Sequence, residues 1–482
     1  MLDIRPVLYV VGLLLLVLAA AMAVPVGISL SDGDGDWVIF TLSAAVTVFF
    51  ALAMILSCGG PRYRHNLRHV FLLATVTWAV MPVFAALPLS FGSAQLPYTD
   101  GFFEAMSGLT TTGSSVIVDV AAQTRAILIW RSVLQWLGGI GIVLMAVTLL
   151  PMLRLGGMQV FKTEAFDTPD KVFERVSPVA LQLIAVYAVL TSAWCFFYWL
   201  AGMDPFDAAN HAMTTLSTGG FSTQPESLGH WPSVWMMLVA TSGMIVAALP
   251  FTLYLQIARG TRRTIAIDSQ VGAFLVVVVL AALVISLWLI LGNGYDTEPA
   301  IVGAIFHVTS IITGTGYTTT DVQLWGGLPV ALLFVLQYVG GCAGSTTCGF
   351  KIFRFQVLYA AAKVQMARML RPHIVLLPRY NDRPLQAGVT DSVMAFFFLY
   401  ALVVAWFTVA LSLMGLDFTT ALSGASTAIS NVGPGFGDII GPKGSFATLP
   451  NAAKWLLCTG MLLGRLEILS VLVLFQRAFW KE

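Results

Sequence analysis

The chain has 482 residues, of which 58% are hydrophobic and 10% charged, with a mean hydropathy of +0.85 and a formal net charge of +1. A soluble domain carries about 25% charged residues, so this composition excludes a water-soluble globular protein, and the near-zero net charge excludes a nucleic-acid footprint. The five cysteines, Cys58, Cys195, Cys342, Cys348 and Cys458, lie in or beside apolar stretches without metal-ligand spacing, which reads as buried thiols and not as a disulfide framework.

Long apolar stretches follow one another at 6–30, 37–58, 68–91, 127–153, 178–202, 233–258, 271–292, 329–365, 391–415 and 452–477, giving ten predicted spans. Each reaches the roughly 20 residues that a bilayer demands. The first, apolar from Tyr9 to Val26, is long enough to cross and is read as a retained helix, not a cleaved signal. Between the third and fourth, fifth and sixth, seventh and eighth, and ninth and tenth spans sits one recurring phrase ending in glycine: Gly113, Gly220, Gly316 and Gly433. Three residues before each glycine stand Thr110, Ser217, Thr313 and Ser430; six before stand Ser107, Thr214, Ser310 and Thr427. Ten residues of all four copies align without a gap. Repetition of this kind fixes architecture before any local pattern does. The chain therefore reads as an all-α integral membrane protein of four pseudo-fourfold membrane–pore–membrane repeats behind two extra N-terminal transmembrane helices. The boundaries are 1–60 for the N-terminal pair, then 61–165, 166–265, 266–385 and 386–482 for the repeats.

Basic residues set the orientation. One series of loops carries Arg62, Arg64 and Arg68; Arg154, Lys162, Lys171 and Arg175; Arg259, Arg262 and Arg263; Arg368, Arg371, Arg379 and Arg383; and Arg477 and Lys481. The opposite series carries Asp32, Asp34, Asp36, Asp100, Asp204, Glu298 and Asp417. The positive-inside rule makes the basic loops and the N-terminus cytoplasmic and puts every repeat phrase on the external side.

Residues 101–109, 205–216, 299–312 and 418–429 are too short to span but suit re-entrant half-helices, each with an acidic residue (Asp100, Asp204, Glu298, Asp417) expected to cap it. Each is followed by a strip: Thr110-Thr111-Thr112-Gly113, Ser217-Thr218-Gly219-Gly220, Thr313-Gly314-Thr315-Gly316 and Ser430-Asn431-Val432-Gly433. Irregular backbone at membrane depth is tolerated only where it lines a polar path or is buried in protein. Four such strips about one axis supply carbonyl rings that can replace a cation's hydration shell. Within the eighth span, 340–349 reads Gly-Gly-Cys-Ala-Gly-Ser-Thr-Thr-Cys-Gly, a run of poor helix formers that breaks the helix below the filter. Gly340, Gly341, Gly344, Ser345, Thr346, Thr347 and Gly349 are its candidate gate residues. Arg465 lies deep in the last span, and Cys348 and Arg465 are each 32 residues beyond their filter glycine, so the two are expected at similar depth. Arg465 is expected to face the loop and oppose cations, the alternative being a static pair with Glu467. His211 and His307 share a register position and are read as pore-helix packing; Gly138-Gly139 is read as a packing face, and Arg125 and Arg131 as interfacial anchors.

Thr315-Gly316-Tyr317 resembles the signature of potassium-channel filters. The fuller set, TTTG at 110–113, STGGF at 217–221, TGTGY at 313–317 and NVGPG at 431–435, resembles the TrkH/TrkG/KtrB superfamily of potassium-uptake proteins over the whole chain, and the extra N-terminal helices resemble its TrkH branch. The resemblance implies a homodimer in the bacterial inner membrane with one potassium pore per subunit, an intramembrane gating loop at 340–349, and control by a TrkA-like cytosolic nucleotide-binding protein. Potassium is then the translocated ion, and any nucleotide acts only through that partner. The basic stretch 363–383 either enforces orientation or docks the partner. Only one strip keeps the Thr-Gly-Tyr order, so moderate selectivity is expected, with rubidium close to potassium and sodium less well excluded. No phosphate-cradling loop and no nucleophile with a matched base is present, so an enzyme is not expected. A secondary transporter coupling potassium to sodium or protons, and a membrane scaffold, are the rival readings; the parallel repeats and the absence of ionisable residues in the strips argue against the first.

Overall fold

In lipid a backbone must satisfy its own hydrogen bonds, so apolar stretches of this length are driven to helix. A computed structural model describes residues 3–59, 67–148, 157, 169–258, 260, 268–381, 383–386 and 388–480, with the side chains of 67, 147–148 and 169–178 left aside. Among the described residues, seven helices are long and apolar enough to cross a membrane, or up to nine if two bent pairs each count as one span. The continuous ones are Arg5–Asp32, Asp36–Cys58, Arg68–Phe91, Arg125–Ala146, Val179–Leu200, Ser269–Asn293 and Val389–Leu413. The seventh predicted span shows why they belong in lipid: Phe274, Val278 and Ile285 are buried while Val276, Val279, Leu283 and Leu291 lie outward, an apolar surface all round.

Among the described residues three predicted spans are discontinuous, where the sequence pointed to one. The sixth bends by 89° between Val234–Ala248 and Phe251–Ala258, where Pro250 cannot donate a helical amide. The eighth divides into Gly327–Val339 and Ile352–Leu370 around the glycine-rich loop. The tenth bends by 103° between Asn451–Arg465 and Leu469–Phe475. Polar backbone freed at these breaks is re-paired between them: Cys342 N donates to Ala248 O (3.1 Å), Phe251 N to Gly344 O (2.9 Å), and Thr346 Oγ1 to Ala247 O (3.1 Å). The loop of the eighth span is thus docked on the break of the sixth.

The four short helices are Tyr98–Leu109, Pro205–Leu216, Thr297–Ile312 and Phe418–Ser430, of 12, 12, 16 and 13 residues. At 1.5 Å per residue they reach about 18–24 Å, short of a bilayer's ~30 Å hydrocarbon core. The expected acidic caps form in two of them: Asp204 accepts from Phe206 N and Asp417 from Thr420 N. Asp100 and Glu298 lie instead inside the first turn, after Pro97 and Asp296 as N-caps. There they still complement the positive end of the helix dipole, and Asp100 binds Lys454 Nζ at 2.6 Å.

The N-terminal pair packs closely, Gly12 leaving no room for a Cβ between Ala51 O and Ile55. Asp36 fastens the pair to the first repeat, accepting from Ser93 N (2.8 Å), Ser93 Oγ (2.6 Å) and Thr124 Oγ1 (2.5 Å). Among the described residues the strand content is one hairpin of two-residue strands, Arg379–Tyr380 with Arg383–Pro384, after the eighth span. Of the orienting basic residues, Arg62, Arg64, Arg154, Lys162, Arg259, Arg262, Arg263 and Lys481 lie outside the described residues, as do the side chains of Lys171 and Arg175.

Candidate ion pathway

Each strip leaves the C-terminal end of its short helix through one tight turn. The amide preceding each glycine folds back onto the carbonyl six residues before that glycine in three repeats: Thr112 N to Ser107 O (2.8 Å), Gly219 N to Thr214 O (2.9 Å) and Val432 N to Thr427 O (3.1 Å). In the third repeat Gly316 N reaches Ser310 O at 3.1 Å. The recurring small hydroxyl residue at that register therefore marks the backbone acceptor of the turn. Two positions per strip are left-handed. The filter glycines have φ of 86°, 73°, 78° and 92°, and the residues two before them, Thr111, Thr218, Gly314 and Asn431, have φ of 52°, 55°, 76° and 51°. Three of the latter four are not glycine, a conformation uncommon outside glycine that the surrounding turn must enforce.

The four strips close into a ring. A Cβ on Gly113 would run into Gly219 O, one on Gly220 into Thr315 O, one on Gly316 into Val432 O, and one on Gly433 would lie 2.8 Å from Thr112 O. Each filter glycine thus faces the carbonyl preceding the next repeat's glycine, in the order first to second to third to fourth and back to first. The sixteen predicted filter residues are brought together, and Thr110, Thr111, Thr112, Ser217, Thr218, Thr313, Thr315, Ser430, Asn431 and Val432 are all at most 2% exposed. Partly buried dipole ends of four helices converge there with their negative ends inward, a favourable place for a cation.

The ring is unequal in ways that residue types alone did not disclose. Gln135, buried on the fourth span, donates from Nε2 to Gly219 O (2.8 Å) and accepts from Phe221 N (3.1 Å). Among the described residues, Gly219 O is the one of the four ring carbonyls that carries a protein hydrogen bond. Asn431 Nδ2 crosses from the fourth strip to Thr112 Oγ1 of the first (2.8 Å), and Ser114 Oγ to Gly433 O (2.8 Å). Tyr317 is buried rather than lining the path, its hydroxyl 2.6 Å from Thr214 Oγ1.

Outside the ring, the register position nine before the glycine anchors the outer limb of the strip in the first three repeats, the fourth having Gly424 there. Glu104 accepts from Ser115 Oγ (2.9 Å) and Val116 N (2.9 Å); His211 Nε2 lies 3.0 Å from Ser222 Oγ; His307 Nε2 accepts from Thr319 N (3.3 Å). Both histidines therefore pack within the pore-helix layer. Arg131 corrects the expectation of an interfacial anchor. It is 2% exposed, pairs through Nε with Glu104 Oε1 at 2.8 Å, donates to Ser222 O (3.1 Å) and covers the Phe221 ring at 4.2 Å. The signal that pointed to it was Glu104, an acid standing where the other repeats have His, His and Gly. Arg125 behaves more as expected, exposed and paired with Asp32 at 3.1 Å. Removing one partner of a buried pair leaves the other charge uncompensated, at about 3–5 kcal/mol. Arg131→Met is accordingly expected to lower the thermal transition of the detergent-solubilised protein sharply, with Glu104→Gln/Arg131→Met recovering most of the loss. Equal transitions for single and double variants would refute the assignment.

Below the ring, the predicted gate residues form a compact loop. Gly340, Gly344 and Gly349 take φ of 72°, 80° and 78°, while Ser345 Oγ and Thr347 Oγ1 meet at 2.7 Å. Gly341 abuts Thr347. Arg465 reaches this loop: Nη1 donates to Thr346 O (3.2 Å) and to Cys348 Sγ (2.6 Å), and Nη2 to Gly138 O (3.3 Å). The shared depth of Cys348 and Arg465 is thus realised as contact. Gly138 belongs to the first repeat and Thr346 to the third, so the arginine of the fourth links two repeats that stand opposite each other in the ring order. Gly138 and Gly139 also pack tightly, against Leu109 O and Ser217 respectively. Arg465 is not paired with Glu467, which binds Lys351 and Arg354 instead. Among the described residues no carboxylate lies within ion-pair distance of Arg465.

Comparison with known proteins agrees with this architecture. The profile of the family described as TrkH, cation transport protein, matches residues 38–481. The chain is 44% identical over 414 residues to the Trk system potassium uptake protein TrkI of Halomonas elongata, covering 86% of this chain and 84% of that one. It is 36% identical over 487 residues to the Trk system potassium uptake protein TrkH of the same organism, covering 100% of both. The crystal structure of the potassium transporter TrkH from Vibrio parahaemolyticus superposes with a TM-score of 0.91 at 34% identity, covering 100% of both chains.

Proposed function

Because the chain belongs to the TrkH family of cation transport proteins, membrane ion transporters and not enzymes, we propose that it conducts potassium passively through the four-strip ring, with the 340–349 loop and Arg465 as the gate below. The protein is a multi-pass protein of the bacterial inner membrane, and potassium is the ion that its relatives' names give them. The observation that carries the reading is the closed cycle of glycine–carbonyl approaches, in which each repeat presents a backbone oxygen beside its neighbour's glycine. Backbone oxygens of this kind replace a desolvated cation's water shell. The engagement of Gly219 O by Gln135 leaves that oxygen a weaker ion ligand than its three counterparts, in keeping with moderate discrimination against sodium.

The finer parts of the proposal are the external position of the strips, a cytoplasmic N-terminus, a homodimer, and a TrkA-like nucleotide-binding regulator. Exposed Met366, Met369, Leu370 and Val375 at the end of the eighth span offer an apolar surface for a second copy. Lys363, Arg368 and Arg371 beside them suit an acidic face of the regulator. Rubidium uptake into proteoliposomes tests the transport mode. Downhill uptake that is independent of sodium and pH is expected; uptake that requires a sodium or proton gradient would replace the pore by a symporter.

A further inference from the structure

Two non-glycine residues near the gate are held in the left-handed region, Lys351 with φ of 68° and Glu467 with φ of 56°. Lys351 immediately precedes the helix Ile352–Leu370, and Glu467 sits at the 103° break of the last span, two residues after Arg465. These two hinge residues are bound to each other, Lys351 Nζ lying 3.3 Å from Glu467 Oε1. Arg354 Nη2 completes the cluster at 2.6 Å from Glu467 Oε2. The three side chains are at most 7% exposed. Arg354 also donates to Phe350 O at 2.9 Å and covers the Phe396 ring at 4.0 Å, which fixes it to the segment just before its helix and to the ninth span.

Strained backbone persists only where its surroundings over-determine it, and here each strained hinge is held by the other's charge. Loop 340–349 ends two residues before Lys351, and Arg465 lies two residues before Glu467. Movement of the helix Ile352–Leu370 therefore reaches both sides of the Arg465–Thr346 contact at once. We propose that Glu467 is a positioning residue for the gate: with Lys351 and Arg354 it ties the cytoplasmic half of the broken eighth span to the break in the tenth, and the loop leaves Arg465 only when this tie opens. The proposal rests on the gate reading above, and its test keeps the two apart.

Single-channel recording of the full-length protein in planar bilayers provides that test. Lys351→Met/Glu467→Gln removes one positive and one negative charge, so the cluster keeps its net charge while the ion pairs of the tie are lost. Its open probability is expected to rise at least about tenfold, with unitary conductance and the rubidium/sodium permeability ratio unaltered. Lys351→Arg preserves the pair and is expected to keep the parent open probability. Glu467→Asp keeps the charge but withdraws the carboxylate by one methylene, and gives a smaller rise should the double variant fail to reach the membrane. Arg465→Ala is the independent control for the gate. If it raises open probability and neither tie-breaking variant does, the tie is wrong and the gate stands; if none of the three does, both are wrong. Altered conductance or selectivity at unchanged open probability would make the cluster part of the pore wall and overturn the proposal equally.

Discussion

Alanine at Gly220 is expected to reduce rubidium uptake at least about 100-fold while the protein still reaches the membrane and elutes at the parent size. The backbone there is left-handed, with φ of 73°, which costs an L-residue about 1–2 kcal/mol. The larger effect is steric: the new methyl would occupy the position of Thr315 O, a backbone oxygen that cannot swing aside as a flexible side chain would. Either strip must shift, and the carbonyl ring loses its spacing. A barrier increase of about 3 kcal/mol is roughly 100-fold in rate. The same argument ranks the four positions. Gly113, Gly220 and Gly316 each direct a Cβ into a neighbouring carbonyl, whereas Gly433 leaves 2.8 Å to Thr112 O. Gly433→Ala is therefore the mildest of the series. Gly316→Ser gives the same test in cells lacking other potassium uptake, where growth at low potassium is expected to fail. Uptake by Gly220→Ala within threefold of the parent, or Gly433→Ala as the most damaging change, would disprove the ring.

What could be read from residues and what could not divides along physical lines. Membrane helices, repeats and the left-handed glycines of the four strips were legible because each is enforced by a strong local rule: bilayer length, register and a conformation that glycine adopts freely. The second left-handed position of each strip was hidden, since only Gly314 carries a glycine there, and Thr111, Thr218 and Asn431 are held by the turn around them. The breaks in the sixth and tenth spans were hidden for a related reason. Pro250 ends a helix only if the freed carbonyls find donors, and those donors come from residues 342–346, far along the chain. At Glu467 the break relies on Lys351 and Arg354, and no pattern near Glu467 announces them. Arg131 misled because a cation near the outer end of a span is ordinarily an interfacial anchor. Its buried partner, Glu104, lies on a different helix. Local signals disclosed the elements, while pairings between distant elements determined which charges are buried and which helices bend.

Arg465→Ala is expected to convert a restrained pore into a leaky one. The guanidinium is 2% exposed, donates to carbonyls of two opposite repeats, lies 5.8 Å from the Trp78 ring centroid, and has no carboxylate partner among the described residues. At an effective dielectric constant of about 20, a unit charge several ångströms from a passing monovalent cation repels it by about 2 kcal/mol, or roughly 30-fold in rate. Removing it also deletes the bridge between Thr346 and Gly138, so both the electrostatic and the steric obstruction weaken together. Single-channel records are expected to show higher open probability, and proteoliposomes faster rubidium leak, with the filter's rubidium preference over sodium retained. Arg465→Lys separates the two contributions. An ammonium keeps the charge but lacks the planar fork that reaches two carbonyls at once, so closure loosens while the repulsion remains. Its leak is therefore expected to fall between those of the parent and Arg465→Ala. Identical open probability and conductance in all three proteins would remove Arg465 from the gate.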